Sequence, residues 1–228
     1  MIVGPDNLFA LPQTSALLQA ELACVPELAR QRPAGRALVL QPGAAQRGLE
    51  LDVGHLRAVR LHALDGLLGG DVTCAADALP FEGDAFQFVV VQHIGDVLPA
   101  AHGLPAELAR VLVPGGSLLW LGFNRWSPWL AWLHWQARGG LAAPTASRTE
   151  SVRRLLAGAG LEVGPATTLG SCWPSQGVDD GALAPLRAVW RVVASKRQTI
   201  LTPLRPRRRR PQVAARPSLA LPSRRSSA

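Results

Sequence analysis

Short continuous apolar runs alternate along this chain with segments in which apolar residues recur at helical spacing. Continuous runs bounded by turn residues are typical of buried parallel strands, whereas recurrence every three or four residues is typical of helices that bury one face. The pattern predicts strands over 36–40, 59–64, 88–92, 117–123 and 186–194. It predicts helices over 12–30, 46–56, 104–112 and 149–160, and a further helix that begins at Ser127-Pro128.

This alternation predicts an α/β fold in which a doubly wound, mostly parallel sheet of the seven-stranded type carries helices on both faces. We assign this domain to residues 1–203. Beyond Pro203 the chain consists mainly of Pro, Arg, Ser and Ala and has no periodic apolar face. We therefore predict that residues 204–228 form a disordered tail.

The distribution of charge separates the two parts further. All 16 acidic residues lie between Asp6 and Asp180, while the segment after Thr202 contains eight arginines and no acid. Since the chain has 24 basic residues in total, the body is formally neutral and the net charge of +8 belongs to the tail. The tail either binds nucleic acid or another anionic surface by electrostatic attraction, or it is simply solvated.

Composition argues against several classes of protein. The three scattered cysteines, Cys24, Cys74 and Cys172, have the spacing of neither a disulfide framework nor a zinc site, and we predict no metal ligands. The start of the chain lacks the basic and apolar regions of a secretory signal. The most apolar stretch, 118–135, is interrupted by polar residues and a proline. We expect no transmembrane segment and a cytoplasmic location.

Three blocks of sequence occur in order between residues 77 and 116. The first is the turn Asp77-Ala78-Leu79-Pro80-Phe81, the second is the strand 88–92, and the third is the segment 110–116, Arg-Val-Leu-Val-Pro-Gly-Gly. This order resembles the type 11 pattern of class I S-adenosylmethionine (SAM)-dependent methyltransferases. The segment 122–129, Gly-Phe-Asn-Arg-Trp-Ser-Pro-Trp, is similar to the small bacterial YafS-like subgroup, with Arg125 where that subgroup has proline.

The resemblance implies a Rossmann-like fold, SAM as the cofactor, and a cofactor site at the carboxyl ends of the strands. Asp77 matches the acid that accepts a hydrogen bond from the adenine amine, and the backbone of Ala78 would meet the ring edge. Asp65 matches the acid that binds the ribose at the end of the second strand. The other cofactor-binding residues that the resemblance implies are Gln41, Gly43, Ala45, Leu79 and Gln92.

Some of these residues also have a purely structural interpretation. Asp77 would then cap a turn, and Asp65 would be a surface turn residue. The glycine-rich loop departs from the family pattern, because Gln41 replaces an acid and Ala45 replaces a glycine. A neutral amide forms weaker hydrogen bonds than a carboxylate does, and this predicts weaker SAM binding or a different ligand.

Methyl transfer is an in-line displacement that depends chiefly on positioning, so an obligatory catalytic dyad is not expected. His93 follows the central strand and either accepts a proton from the substrate or only lines the pocket or contacts the cofactor. Five tryptophans within 120–135 contribute to a lid over an apolar substrate, to a patch for a membrane interface or a partner, or to the core.

The residues support three functional hypotheses. The first is a SAM-dependent methyltransferase that acts on a small-molecule acceptor. The second is a catalytically degenerate methyltransferase fold that serves as a binding or regulatory protein, which the altered loop at 41–48 favours. The third is a nucleic-acid-associated enzyme whose basic tail supplies affinity.

Overall fold

The computed structural model of the chain describes residues 7–49, 51–99, 101–174 and 181–197. The tail predicted for 204–228 lies outside the described residues, as does the end of the predicted domain.

The sheet contains eight strands and confirms the predicted doubly wound α/β architecture. The strands are β1 (Gly35–Gln41), β2 (Leu56–Leu64), β3 (Leu67–Gly70), β4 (Phe86–Gln92), β5 (Leu112–Phe123), β6 (Leu161–Val163), β7 (Thr167–Leu169) and β8 (Val189–Lys196). Their order is β3-β2-β1-β4-β5-β8-β6, with β7 paired to β8. The four central strands, β2, β1, β4 and β5, are parallel, while the outer pairings are antiparallel.

Helices cover both faces of this sheet. They are α1 (Pro12–Leu22), α2 (Val25–Arg30), α3 (Ile94–Val97), α4 (Leu104–Val111), α5 (Pro128–Gln136) and α6 (Thr149–Gly158). Successive side chains of a strand point to opposite faces, so each central strand contributes to two cores. Leu38 and Leu40 of β1 pack in the same core as α4 and α6, whereas Ala37 and Val39 pack in the core that contains α1, α2 and α5.

The crossover helix predicted for 46–56 is wrong. A short 3₁₀ helix, Ala44–Gly48, follows β1 instead, and the described residues between it and β2, 49 and 51–55, form no helix. The side chain of Asp52 accepts a hydrogen bond from the backbone N–H of Gly54 at 2.7 Å, and Gly54 has a φ of +60°. This local turn competes with helical hydrogen bonding, which explains why apolar spacing alone was misleading here.

The helix predicted for 12–30 is divided into α1 and α2 by a break at Ala23 and Cys24. Pro26 lies in the first turn of α2. Proline has no backbone N–H to donate to the preceding turn, so an uninterrupted helix through this position is disfavoured. The predicted helix start at Ser127 is confirmed, because the Ser127 hydroxyl accepts a hydrogen bond from the N–H of Trp129.

The strand before Asp77 departs from a fully parallel arrangement. β3 pairs antiparallel with β2 through a two-residue turn formed by Asp65 and Gly66. Both turn residues have positive φ, +47° and +84°, which is the conformation of the tight hairpin turn that Asp-Gly sequences favour. β2 and β3 therefore form a hairpin at the edge of the sheet.

Candidate functional site

The carboxyl ends of the four parallel strands meet at one edge, and the strand order reverses there between β1 and β4. Ligands of open α/β sheets bind at such a reversal point. Two adjoining cavities open at this edge, with volumes of about 460 Å³ and about 340 Å³, and they share Gly66, Val97 and Leu98 as lining residues. We call the two together the carboxyl-edge cleft. Their size is in the range of small-molecule sites.

Asp77 lies in the turn that follows β3, is exposed and lines the smaller cavity. The turn residues behind it are held firmly by α4. The backbone N–H of Leu79 donates to Glu107 Oε2 at 2.9 Å, and Arg110 donates to the carbonyl oxygens of Leu79 at 3.0 Å and Phe81 at 2.8 Å. The turn is thereby fixed while the Asp77 carboxylate remains accessible.

Glu107 and Arg110 form an ion pair of 2.8 Å on successive turns of α4. The hydrogen bond from Arg110 lowers the pKa of Glu107, and the N–H of Leu79 acts in the same direction against the effect of partial burial. Gly103, just before α4, allows the turn to approach, because a Cβ there would lie 2.6 Å from Asp77 Cβ. The two distant sequence blocks thus form one structural unit.

Asp65 lines the larger cavity and is exposed. It also occupies the first central position of the β2–β3 hairpin turn. Asp65 therefore faces the cavity and also forms part of the hairpin turn, so the two interpretations that the sequence left open are compatible. Asp65 and Asp77 lie on the two parts of one cleft, connected through Gly66, which lines both cavities.

The loop after β1 contributes one of its predicted residues to the cleft. Gly43 lines the larger cavity, whereas Ala45 is exposed on the 3₁₀ helix and is not among the lining residues. Gln41 is buried and donates from its side-chain amide to the carbonyl of Gln46 at 3.1 Å. Its Oε1 atom has no hydrogen-bond partner among the described residues.

The N-terminal segment 7–9 completes the larger cavity, and the sequence analysis did not identify it. Leu8 and Phe9 are buried and line the cavity with Asn7. The Gln46 side chain donates to the carbonyl of Phe9 at 2.9 Å, which attaches this segment to the loop after β1. The one signal for this segment in the sequence is Asn7, a residue type that commonly caps the start of a helical turn.

A network of ionisable side chains is buried beside α1, at the carboxyl ends of β4 and β5. The two ring nitrogens of His93 lie 2.9 Å from Glu21 Oε1 and 2.9 Å from Asp96 Oδ2. The Gln92 amide donates to Glu21 Oε2 at 2.8 Å, and the N–H of Phe123 donates to Asp96 Oδ2 at 2.8 Å. The three ionisable residues are at most 1% exposed.

Burial by itself would lower the pKa of His93, because the interior solvates an imidazolium poorly. The negative charges of Glu21 and Asp96 and their hydrogen bonds outweigh burial and raise the pKa to about 9. The ring is therefore protonated at neutral pH. Since both nitrogens are engaged and the residue is fully buried, this geometry does not support proton acceptance from a substrate.

Gln92 also belongs to this network and does not line the cleft in this structure. Its amide donates to Glu21 and to the carbonyl of Leu18 at 3.0 Å. Glu21 was missed from the sequence, although it carried one signal. It is an acid on the apolar face of α1, three and four residues after Leu18 and Leu17, where a charged side chain requires a buried partner.

The tryptophans of 120–135 do not form one aromatic band. Trp129 is buried and donates from its indole N–H to the carbonyl of Ser171 at 3.1 Å, so it belongs to the core. Trp126 and Trp135 are 72% and 57% exposed. None of these residues lines either part of the carboxyl-edge cleft.

The described residues contain neither a cluster suited to a metal ion nor a helix suited to a membrane. No group of three or more His, Cys, Asp or Glu side chains in this part of the chain is arranged to hold a metal ion. None of its helices is long and apolar enough to cross a membrane.

Comparison with known proteins gives structural neighbours alone. No family model matches the chain, and no curated protein matches it. A SAM-dependent methyltransferase from Thermotoga maritima is 15% identical, with a TM-score of 0.49 over 79% of this chain and 91% of that protein. One from Methanosarcina mazei is 17% identical, with a TM-score of 0.43 over 75% and 86%. Geranyl diphosphate methyltransferase in complex with SAM is 16% identical, with a TM-score of 0.48 over 78% and 85%.

Proposed function

We propose that the carboxyl-edge cleft binds SAM and that the chain is a SAM-dependent methyltransferase that acts on a small-molecule acceptor. The observation that carries this proposal is the convergence of three turns on one cleft. Gly43 follows β1, Asp65 follows β2 and Asp77 follows the β2–β3 hairpin, and all three line the same two adjoining cavities.

The nucleoside end of SAM fits these residues well. The accessible Asp77 carboxylate offers acceptor oxygens for the adenine amine, and the next residue, Ala78, is also exposed. The Asp65 carboxylate offers acceptors for the two ribose hydroxyls. Val97 and Leu98, which line both cavities, provide apolar contact for a flat ring. These groups would hold the nucleoside by hydrogen bonds on one side and by packing on the other.

The amino-acid end fits less completely. Gly43 lines the larger cavity and leaves room for its neighbouring side chains, because a Cβ there would lie 3.0 Å from Asn7 Nδ2 and 3.2 Å from Gln46 Oε1. Gln41, in the position of the family's acid, uses its amide to hold the loop. A neutral side chain in this position supports weaker binding of the methionine ammonium than a carboxylate would provide.

When bound, SAM supplies an activated methyl group for in-line displacement. The contribution of the chain is to position the donor and to restrict water, and positioning alone accounts for a large part of such rate accelerations. Leu8 and Phe9 form a buried apolar wall of the larger cavity, which supports an acceptor with an apolar surface. The buried His93 network keeps α1 attached behind the cleft.

Calorimetric titration of the full chain with SAM tests the proposal. We expect saturable binding that Asp77→Ala weakens by about tenfold or more, since a charged hydrogen bond contributes about 1.5–3 kcal/mol. Glu82→Ala, an exposed acid five residues further along that does not line the cleft, is the matched control and should bind as the wild type does. No binding to the folded protein at millimolar SAM would overturn the enzyme proposal and favour the degenerate binding protein.

A further inference from the structure

A third cavity lies between α4 and α6, next to the carboxyl-edge cleft but outside it. Its volume is about 160 Å³, close to that of an engineered protein cavity that binds benzene. It shares Leu98, Pro99 and Ala101 with the smaller cavity of the cleft, so this segment separates the two spaces. We call it the α4–α6 cavity.

Most of the walls of the α4–α6 cavity are apolar. Leu104 and Pro105 of α4 face Val152 of α6, and all three are buried. Leu155, one turn further along α6, lines the cavity and is 44% exposed. An exposed leucine beside a small apolar cavity favours a ligand with an apolar body.

The cavity also contains an unused hydrogen-bond donor. Trp120 is 4% exposed and lines the cavity, and its Nε1 atom has no hydrogen-bond partner among the described residues. The indole N–H of a buried tryptophan ordinarily finds an acceptor. The structure therefore offers a donor that a ligand atom with a lone pair would satisfy.

Gly95 allows its backbone to pack closely against this indole. A Cβ at this position would lie 3.3 Å from Trp120 Cζ2 and 3.0 Å from Ser147 Oγ. Cζ2 and Nε1 are bonded to the same ring carbon, so they share one edge of the indole. Gly95 and Ser147 are themselves lining residues. The edge of the indole that carries the N–H therefore lies next to two lining residues of the cavity, Gly95 and Ser147.

The charges around the cavity favour an anion. Arg148 lines it and supplies a positive charge, and none of the described residues that line it carries a carboxylate. α6 begins at Thr149, directly after Arg148, so the positive end of this helix adjoins a residue that lines the cavity. Glu150 in the first turn of α6 is paired with Arg153 at 3.0 Å.

We propose that the α4–α6 cavity binds a small carboxylic acid with an apolar body no larger than a single six-membered ring or a short acyl chain. The body packs against Leu104 and Val152. The carboxylate is attracted by Arg148 and provides the acceptor that Trp120 lacks. This site is distinct from the carboxyl-edge cleft and does not depend on whether the cleft binds SAM.

NMR titration of the full chain with benzoate, followed on the ligand signals and on the indole N–H signals of the protein, tests this site, with benzamide as the neutral probe of the same shape. We expect saturable benzoate binding, about tenfold weaker binding of benzamide, and a change in one indole N–H signal that is absent in Trp120→Phe. Arg148→Gln should weaken benzoate binding by about tenfold. Arg154→Gln, on the same helix and outside the cavity, should leave it unchanged.

A further variant separates loss of the site from loss of the fold. Ser151→Leu fills the cavity from α6, where Ser151 is half-buried, and it should abolish benzoate binding while the melting temperature stays near that of the wild type. Three results would overturn the proposal: no benzoate binding by the folded wild type, equal binding by Arg148→Gln and wild type, or binding lost in Asp77→Ala and retained in Ser151→Leu. The last would assign benzoate to the carboxyl-edge cleft.

Discussion

Two regions at the carboxyl-edge cleft, the Asp77 turn that lines it and α1 behind it, are held in place by opposite means. On one side the Asp77 turn is fixed by Glu107 and Arg110, whose ion pair and hydrogen bonds lie near the surface. On the other side α1 is fixed by Glu21, which reaches a fully buried His93. The Asp77 turn lines the cleft and α1 lies behind it, and the surrounding dielectric differs greatly between the two.

This difference determines how each side should respond to mutation. Exposed ion pairs contribute little to stability because water solvates their partners equally well when the pair is broken. A buried charge without its partner has no such alternative and costs several kcal/mol. Mutations in the buried network beside α1 should therefore destabilise the whole fold. Mutations that affect the Asp77 turn should change its position locally and leave the rest of the fold intact.

The largest effect is expected from breaking the buried network. Glu21→Ala removes a partner of both His93 and Gln92 and leaves their donors buried. We expect the free energy of unfolding to fall by about 3–5 kcal/mol. Urea unfolding measures it. Glu27→Ala, an exposed acid on α2, is the control and should change stability by no more than about 0.5 kcal/mol. Equal small losses in both variants would contradict a buried charge network.

The next effect is a dependence of stability on pH. The pKa of His93 is raised in the folded protein to about 9 from an ordinary value of 6.5, so the folded state retains the proton more strongly. The stabilisation is complete below pH 6.5 and is lost as the pH rises through 9, by an amount on the order of 3 kcal/mol.

Urea unfolding at a series of pH values measures this loss. His93→Asn is the matched variant, because asparagine tolerates the left-handed backbone at this position, where φ is +53°, and does not titrate. The variant should be less stable, and the loss between pH 6.5 and 9 should disappear. If the slope persisted in His93→Asn, another group would be responsible.

The sequence predicted the Asp77 turn and other local features better than the buried network beside α1, for a physical reason. The β4 run and the Ser127-Pro128 helix start rest on neighbours along the chain, so a local pattern reveals them. Glu107 and Arg110 are three residues apart along the chain, and Arg110 begins the recognised segment 110–116. Glu21 meets His93 across 72 positions, and no local pattern indicates that contact.

Two features near the larger cavity, the conformation of 46–56 and the position of 7–9, could not be predicted from apolar spacing. Apolar spacing favoured a helix over 46–56, but the Asp52 turn gave the backbone another hydrogen bond. The segment 7–9, which forms a wall of the larger cavity, lies far in sequence from the strands it covers. Its place depends on Gln46, whose side chain reaches Phe9 across 37 positions.

A moderate effect is expected where the Asp77 turn approaches α4. Gly103→Ala introduces a Cβ 2.6 Å from Asp77 Cβ, so the turn must shift. We expect stability to fall by about 1–3 kcal/mol, as in other overpacked sites, and SAM binding to weaken if the cleft holds SAM. Gly83→Ala is the control, because its Cβ would meet only Arg110 O, at an ordinary 3.6 Å. Indistinguishable unfolding curves for the two variants would show that the approach is not constrained.

The smallest effect on stability is expected at Asp65, where two roles coincide. Asn tolerates the positive φ of +47° that the hairpin turn requires, so Asp65→Asn should unfold within about 0.5 kcal/mol of the wild type. The substitution removes the charge that faces the larger cavity, and SAM affinity should fall about fivefold if that carboxylate binds the ribose. Asp65→Ala should lose affinity and also destabilise the turn by about 1 kcal/mol, since alanine is strained there. Unchanged affinity in both variants would leave Asp65 as a turn residue alone and would restrict the nucleoside contacts of the cleft to the Asp77 side.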